Sequence, residues 1–148
     1  MLVNGIDIPE KSLTNYELEE YANELKIPYF RGVFMRDTLP KRTHKRECGI
    51  VNLNTSKESG SHWVAYQKDG NKRIYFDSFG QITPWEIQKY LKTNEELERG
   101  KGVIQRNTDI VQAINTNVCG HLCLFVLKSL TEGLSFQEVI NKLTNGYP

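Results

Sequence analysis

Cys119-Gly120-His121-Leu122-Cys123-Leu124-Phe125-Val126-Leu127-Lys128-Ser129-Leu130 carries apolar side chains on nearly every face of a helical wheel. A helix with no face to give to water belongs in the interior, so this stretch is predicted to be the central helix of the domain. The rest of the chain must then supply its cover. Downstream, Ser135-Phe136-Gln137-Glu138 reads as a capping box, and Phe136, Val139, Ile140 and Leu143 share one face of a last helix that stops near Gly146. Upstream lie three β-favouring apolar runs, Gly49-Ile50-Val51-Asn52-Leu53, Trp63-Val64-Ala65-Tyr66 and Arg73-Ile74-Tyr75-Phe76. They predict an antiparallel meander whose second hairpin turns at Asp69-Gly70.

Farther out, Leu18, Tyr21, Ala22 and Leu25 recur at helical spacing behind candidate caps Thr14 and Asn15, and predict an amphipathic helix ahead of Pro28. The stretch from Tyr29 to Glu47 holds Gly32, Pro40 and a basic run (Lys41, Arg42, His44, Lys45, Arg46), and reads as loop or irregular extended chain. Thr83-Pro84-Trp85-Glu86 has the threonine cap, first-turn proline and following glutamate of a helix start, with the helix running to about Leu91. Lys92 to Gly102 reads as surface loop or helical extension, and Val103 to Arg106 as one more short strand.

The 148 residues suit a single domain, 1–148, and 39% hydrophobic with 10% aromatic residues exclude a disordered chain. Nineteen basic against eighteen acidic residues leave a net charge of +1, so bulk charge makes no case for nucleic acid or membrane partners. Three cysteines, an odd number without framework spacing, point to a reducing intracellular compartment. Met1 to Asp7 lack the charged-then-apolar order of a secretory signal, and no run is long enough to span a bilayer. A monomer working away from membranes is expected.

Chemistry concentrates at four positions. Cys119 precedes Gly120 at the mouth of the apolar helix, where unpaired N–H groups and the helix dipole favour a thiolate, and Gly120 would let a substrate backbone approach closely. The competing reading is a buried thiol acting as a small hydrophobe. His62, in Gly60-Ser61-His62-Trp63, stands where a loop enters a strand, a rigid mounting for a general base; Trp63 walls the site or packs in the core. Asp77 ends the next strand and, across a hairpin, can orient the imidazole; alone it would pass for a turn aspartate. Gln112, seven positions before Cys119, can join the Cys119 N–H in holding an oxyanion, or simply be solvated.

Taken together, Gly60-Ser61-His62-Trp63, Tyr75-Phe76-Asp77-Ser78-Phe79-Gly80, Gln112 and Asn117-Val118-Cys119-Gly120-His121-Leu122-Cys123 resemble the cysteine protease group that contains adenain and the SUMO-type deconjugating proteases. Histidine first and cysteine last separates this group from papain-like enzymes. The resemblance to adenain covers about Leu13 to Leu130, and Gly32 to Pro40 looks like the versions carried by virophages, Maverick/Polinton elements and related small DNA viruses. It implies an α+β fold, a mixed central sheet flanked by helices with the cysteine at the N-terminus of a buried central helix. It also implies catalytic His62, Asp77, Gln112 and Cys119, with Gly60, Trp63 and Gly120 against the substrate and no cofactor or metal. The activity implied is cleavage of viral capsid or core precursors at Gly-X or Gly-Gly sites, in the host cell and in the virion; the alternative is ubiquitin-like (SUMO-type) deconjugation. Asp77 stands where adenain has glutamate and so resembles the deconjugating branch, whereas the seven-residue spacing of Gln112 and Cys119 resembles adenain. A DNA or peptide activator is implied by the resemblance alone, and no cysteine between Lys92 and Val118 matches the one through which adenain captures its peptide.

Two other classes compete. Cys119, His121 and Cys123 would form a metal site, but two cysteines sharing a helix face fall short of the four ligands that structural zinc needs. Lys41, Arg42, Lys45 and Arg46 would give a nucleic-acid-binding module, a run that a solvated charged loop explains more simply.

Overall fold

The computed structural model describes residues 1–57 and 62–146. Its centre is a five-stranded sheet of β3 (Phe30–Met35), β4 (Arg46–Asn52), β5 (Trp63–Asp69), β6 (Lys72–Phe76) and β7 (Gln105–Arg106), in that spatial order. The predicted meander is β4–β5–β6, with Asn52 opposite Trp63 and Tyr66 opposite Tyr75. Both outer strands run parallel to their neighbours, β3 to β4 and β7 to β6, which makes the sheet mixed. A two-stranded ribbon, β1 (Leu2–Val3) with β2 (Ile6–Asp7), precedes α1 (Asn15–Glu24).

Alternation along the strands divides two apolar layers. Ile50, Ala65, Ile74 and Phe76 face a core shared with α4 (Cys119–Thr131), α1 and α5 (Phe136–Thr144), whereas Val51, Val64, Tyr66 and Tyr75 meet Ile87 and Leu91 of α2 (Trp85–Leu91). Helix α4 is buried through nearly its whole length, as its sequence requires. Thr14 and Ser135 close complete capping boxes on α1 and α5.

Three readings change. The segment read as loop between Tyr29 and Glu47 contains β3, whose half-buried residues owe their order to parallel pairing with β4, a long-range contact that no local pattern announces. Buried Glu47 ties the same segment down, accepting from the His44 N–H (2.6 Å), the Tyr66 and Tyr90 hydroxyls (2.6 and 2.8 Å) and Arg31 (3.0 Å). Helix α2 is capped one residue later than expected, at Pro84 without a side-chain hydrogen bond, because the Thr83 carbonyl is engaged by Gln88. Between Lys92 and Gly102, α3 (Asn94–Glu98) forms on its own Thr93–Glu96 capping box, and Arg73 of β6 grips Glu96 through two bonds of 2.8 and 2.6 Å. Among the described residues, no helix is long and apolar enough to cross a membrane.

Candidate active site

The open end of the β5–β6 hairpin brings His62 and Asp77 together. Continuing the register past its last pair would set His62 opposite Phe79 and diagonal to Asp77, on one face of the sheet. Both contacts form: His62 Nε2 lies 2.7 Å from Asp77 Oδ1, and the imidazole stacks on the Phe79 ring at 4.9 Å and 29°. Asp77 is buried, and its carboxylate is fixed by the N–H groups of Phe79 (2.9 Å) and Gln81 (3.3 Å).

Cys119 completes the group from the other side. It is the first residue of α4, behind Val118, whose side chain makes no cap, so the first-turn N–H groups stay available to an anion. Burial pushes the thiol pKa up, but the hydrogen bond with His62, the Trp63 N–H, the imidazolium charge and the Gly120 N–H outweigh it and pull the pKa below the ordinary value. For His62 burial acts downward, and the bonds to Asp77 and Cys119 with their negative charges outweigh it, raising the pKa to about 9. With Nε2 taken by Asp77, Nδ1 is the nitrogen left for the sulfur. Both shifts act in one direction, toward a thiolate beside an imidazolium. The other thiols are raised: Cys48 to about 12 by burial and then Glu47, and Cys123 far upward by burial and then the charges of Cys119 and Asp77.

Gln112 is buried beside the same cleft. Its Nε2 donates to the Thr116 carbonyl (3.0 Å) and hydroxyl (3.1 Å), and its Oε1 accepts from Ser78 Oγ (2.5 Å). Trp63 belongs to the core, its indole N–H donating to the Leu13 carbonyl at 3.0 Å while one edge lines the cleft. Gly120 has a packing role beside the expected one. A Cβ there would meet Leu18 (3.1 Å), Leu13 (3.4 Å) and Trp63 (3.5 Å), so the missing side chain also serves the close packing of α4 against α1 and the segment ahead of it. Gly60 lies outside the described residues. His121 turns away to the Pro9 carbonyl at 2.7 Å, and among the described residues no group of three or more His, Cys, Asp and Glu could hold a metal ion.

A cleft of about 610 Å³ opens over this group, lined also by Val33, Phe34 and Met35 of β3 and by Leu13 and Thr14 ahead of α1. Sequence reasoning missed Phe79, an apolar residue in a turn, and Asn107, whose amide brackets the Asp77 backbone by accepting from its N–H (3.1 Å) and donating to its carbonyl (2.6 Å). The turn glycine after Phe79 offered a signal: Gly80 has φ +66°, and a Cβ there would strike the Thr108 carbonyl.

The sequence profile described as adenovirus endoprotease matches residues 30–145, most of the chain. The chain belongs to the adenovirus endoprotease family. This family member is 31% identical over 123 residues to a protease of Bovine adenovirus 2, an alignment taking in 75% of this chain and 60% of that protein. It is 27% identical over 144 residues to a protease of Bovine adenovirus 4, covering 88% of this chain and 72% of that one. The chain thus spans less than two thirds of the Bovine adenovirus 2 protein's length. Among solved structures, the crystal structure of an ASFV protease matches with a TM-score of 0.57 over 93% of this chain and 67% of that one, at 16% identity. This likeness shows a shared fold: a mixed central sheet flanked by helices in an α+β domain, with the buried helix α4 opening at a cysteine.

Proposed function

We propose that this adenovirus endoprotease-family chain is a cysteine endopeptidase that processes viral capsid or core precursors at Gly-X or Gly-Gly type sites. The observation that carries the reading is the cleft lined together by His62, held by Asp77 at 2.7 Å, and Cys119 at the tip of α4. Family membership supports it.

In the proposed mechanism Cys119 Sγ attacks the scissile carbonyl carbon while the carbonyl π electrons move onto oxygen. The Cys119 N–H and a Gln112 Nε2–H hold that oxyanion. As the tetrahedral centre collapses, the C–N bond breaks and the leaving amine takes the proton from His62, leaving a thioester. Water then gives a proton to His62 and attacks the thioester, and the sulfur departs as thiolate. Asp77 keeps the imidazole in the tautomer and orientation that both halves need. The chain works inside the host cell and in the virion, as a monomer; an accessory DNA contact through Lys41, Arg42, Lys45 and Arg46, or a peptide activator, rests on the resemblance to adenain.

A second reading, SUMO-type deconjugation, is favoured by Asp77 in place of glutamate, and the seven-residue spacing of Gln112 and Cys119 speaks for precursor processing. Offering the purified protein a capsid-precursor peptide with a Gly-Gly site alongside a SUMO-type fusion tests both. Cleavage of the peptide, abolished by Cys119→Ala, is the expected result. Cleavage of the fusion alone would move the chain to the other branch, and no cleavage of either would remove the proteolytic reading.

A further inference from the structure

We propose that Ser78 is a positioning residue for the oxyanion donor: it holds the Gln112 amide with its nitrogen toward the cleft, so that the turn from Asp77 to Gly80 sets both the general base and the oxyanion hole. The inference rests on the proteolytic reading above and deepens it.

A glutamine amide has a donor end and an acceptor end of nearly the same shape, and its partners alone decide which end faces a substrate. The Thr116 carbonyl, 3.0 Å from Gln112 Nε2, can only accept, so the nitrogen faces Thr116 and the oxygen faces the other way. There Ser78 Oγ stands 2.5 Å from Oε1 and must donate. Ser78 is fully buried, so no bulk water can replace that hydroxyl. The Thr116 hydroxyl is the partner a substrate oxygen displaces, since it lines the cleft and spends its own proton on the Ala113 carbonyl at 2.7 Å.

Ser78 also ties the two segments together through the backbone. Its carbonyl accepts from the Val111 N–H at 2.8 Å, one residue before Gln112, and the turn closes by the Gly80 N–H to the Asp77 carbonyl at 2.8 Å. The residue before Ser78 orients His62 and the residue after it stacks on the imidazole. One short turn therefore reaches both halves of the site.

The test is a double-mutant cycle of Ser78→Ala and Gln112→Ala, read by peptide hydrolysis and, separately, by iodoacetamide alkylation of Cys119, which needs the thiolate but no oxyanion hole. Ser78→Ala should lower kcat about tenfold with KM held, leave the pH profile of alkylation unchanged, and cost nothing further once Gln112 is alanine. Ser78→Cys, near in size but a weak donor, should show a similar loss of turnover while keeping the packing. Additive losses in the cycle, a parallel fall in alkylation, or unaltered turnover in both serine variants would overturn the inference. A readout free of activity separates its failure from that of the proteolytic reading. In ¹⁵N spectra the Gln112 side-chain NH₂ should be exchange-protected and become labile in Ser78→Ala, and a pair already labile in the unaltered protein would overturn the inference whatever the chain cleaves.

Discussion

Cys119 and Cys123 stand one turn apart on the same helix, yet the first thiol is pulled below its ordinary pKa and the second is driven far above it. Both are desolvated, and desolvation alone would raise both. The difference lies in what meets them. At the tip of α4 the sulfur finds the His62 imidazole and the N–H groups of Trp63 and Gly120. One turn further the sulfur is wholly buried and meets the negative charges of Cys119 and Asp77. The surroundings that favour a thiolate therefore belong to the junction between the β5–β6 hairpin and a helix end, and the buried helix is the mount.

The largest effect expected from breaking that contrast is a swap of which cysteine is lost. Cys119→Ala should bring peptide hydrolysis to background, a fall of about 10⁶ if the groups act as a unit. Cys123→Ala should keep turnover within a few-fold while costing roughly 1 kcal/mol in thermal or denaturant unfolding.

Asp77→Asn comes next, with a loss of about 10²- to 10⁴-fold, since an amide neither stabilises the imidazolium nor selects its tautomer. The sign of its pH effect follows from His62. The imidazolium is present below its raised pKa of about 9 and is lost as pH rises through it, so the alkaline limb of activity should lie near 9 and move down toward the ordinary 6.5 in the variant. On the acid side, activity should fall only as pH drops through the lowered pKa of Cys119. Profiles of kcat/KM against pH for the two proteins check both limbs.

A smaller change is expected from Phe79→Leu. Removing the ring stacked on His62 should cost about two- to tenfold in kcat, and Phe79→Tyr should restore most of it. The smallest effect runs the other way: Thr116→Val removes the hydroxyl that competes for the Gln112 N–H and should raise kcat by no more than about twofold.

What could be read from sequence follows how local each cause is. Helices α1, α4 and α5 and the β4–β6 meander announce themselves through capping boxes, helical spacing and apolar runs within a few residues of one another. Strand β3 does not, because its order comes from parallel pairing across the fold and from the Arg31–Glu47 contact. The same division runs through the site. His62, Asp77, Gln112 and Cys119 stand out by residue type and order, and the fold gathers them at one cleft. Phe79 and Ser78 carry no chemical signature of their own and acquire a part only through register, and Asn107 only through the loop that doubles back on Asp77. Gly120 was legible as a place of close approach, and the approach of Leu18 from α1 came only from the fold.

The pH dependence of Cys119 alkylation, with sites of modification mapped by mass spectrometry, tests the imidazolium–thiolate pair most directly. Modification should be confined to Cys119, persist well below the ordinary thiol pKa of 9.0, and lose that low-pH reactivity in His62→Ala. A rate that follows an ordinary thiol titrating near 9 and is indifferent to His62, or label found on Cys123, would contradict the account.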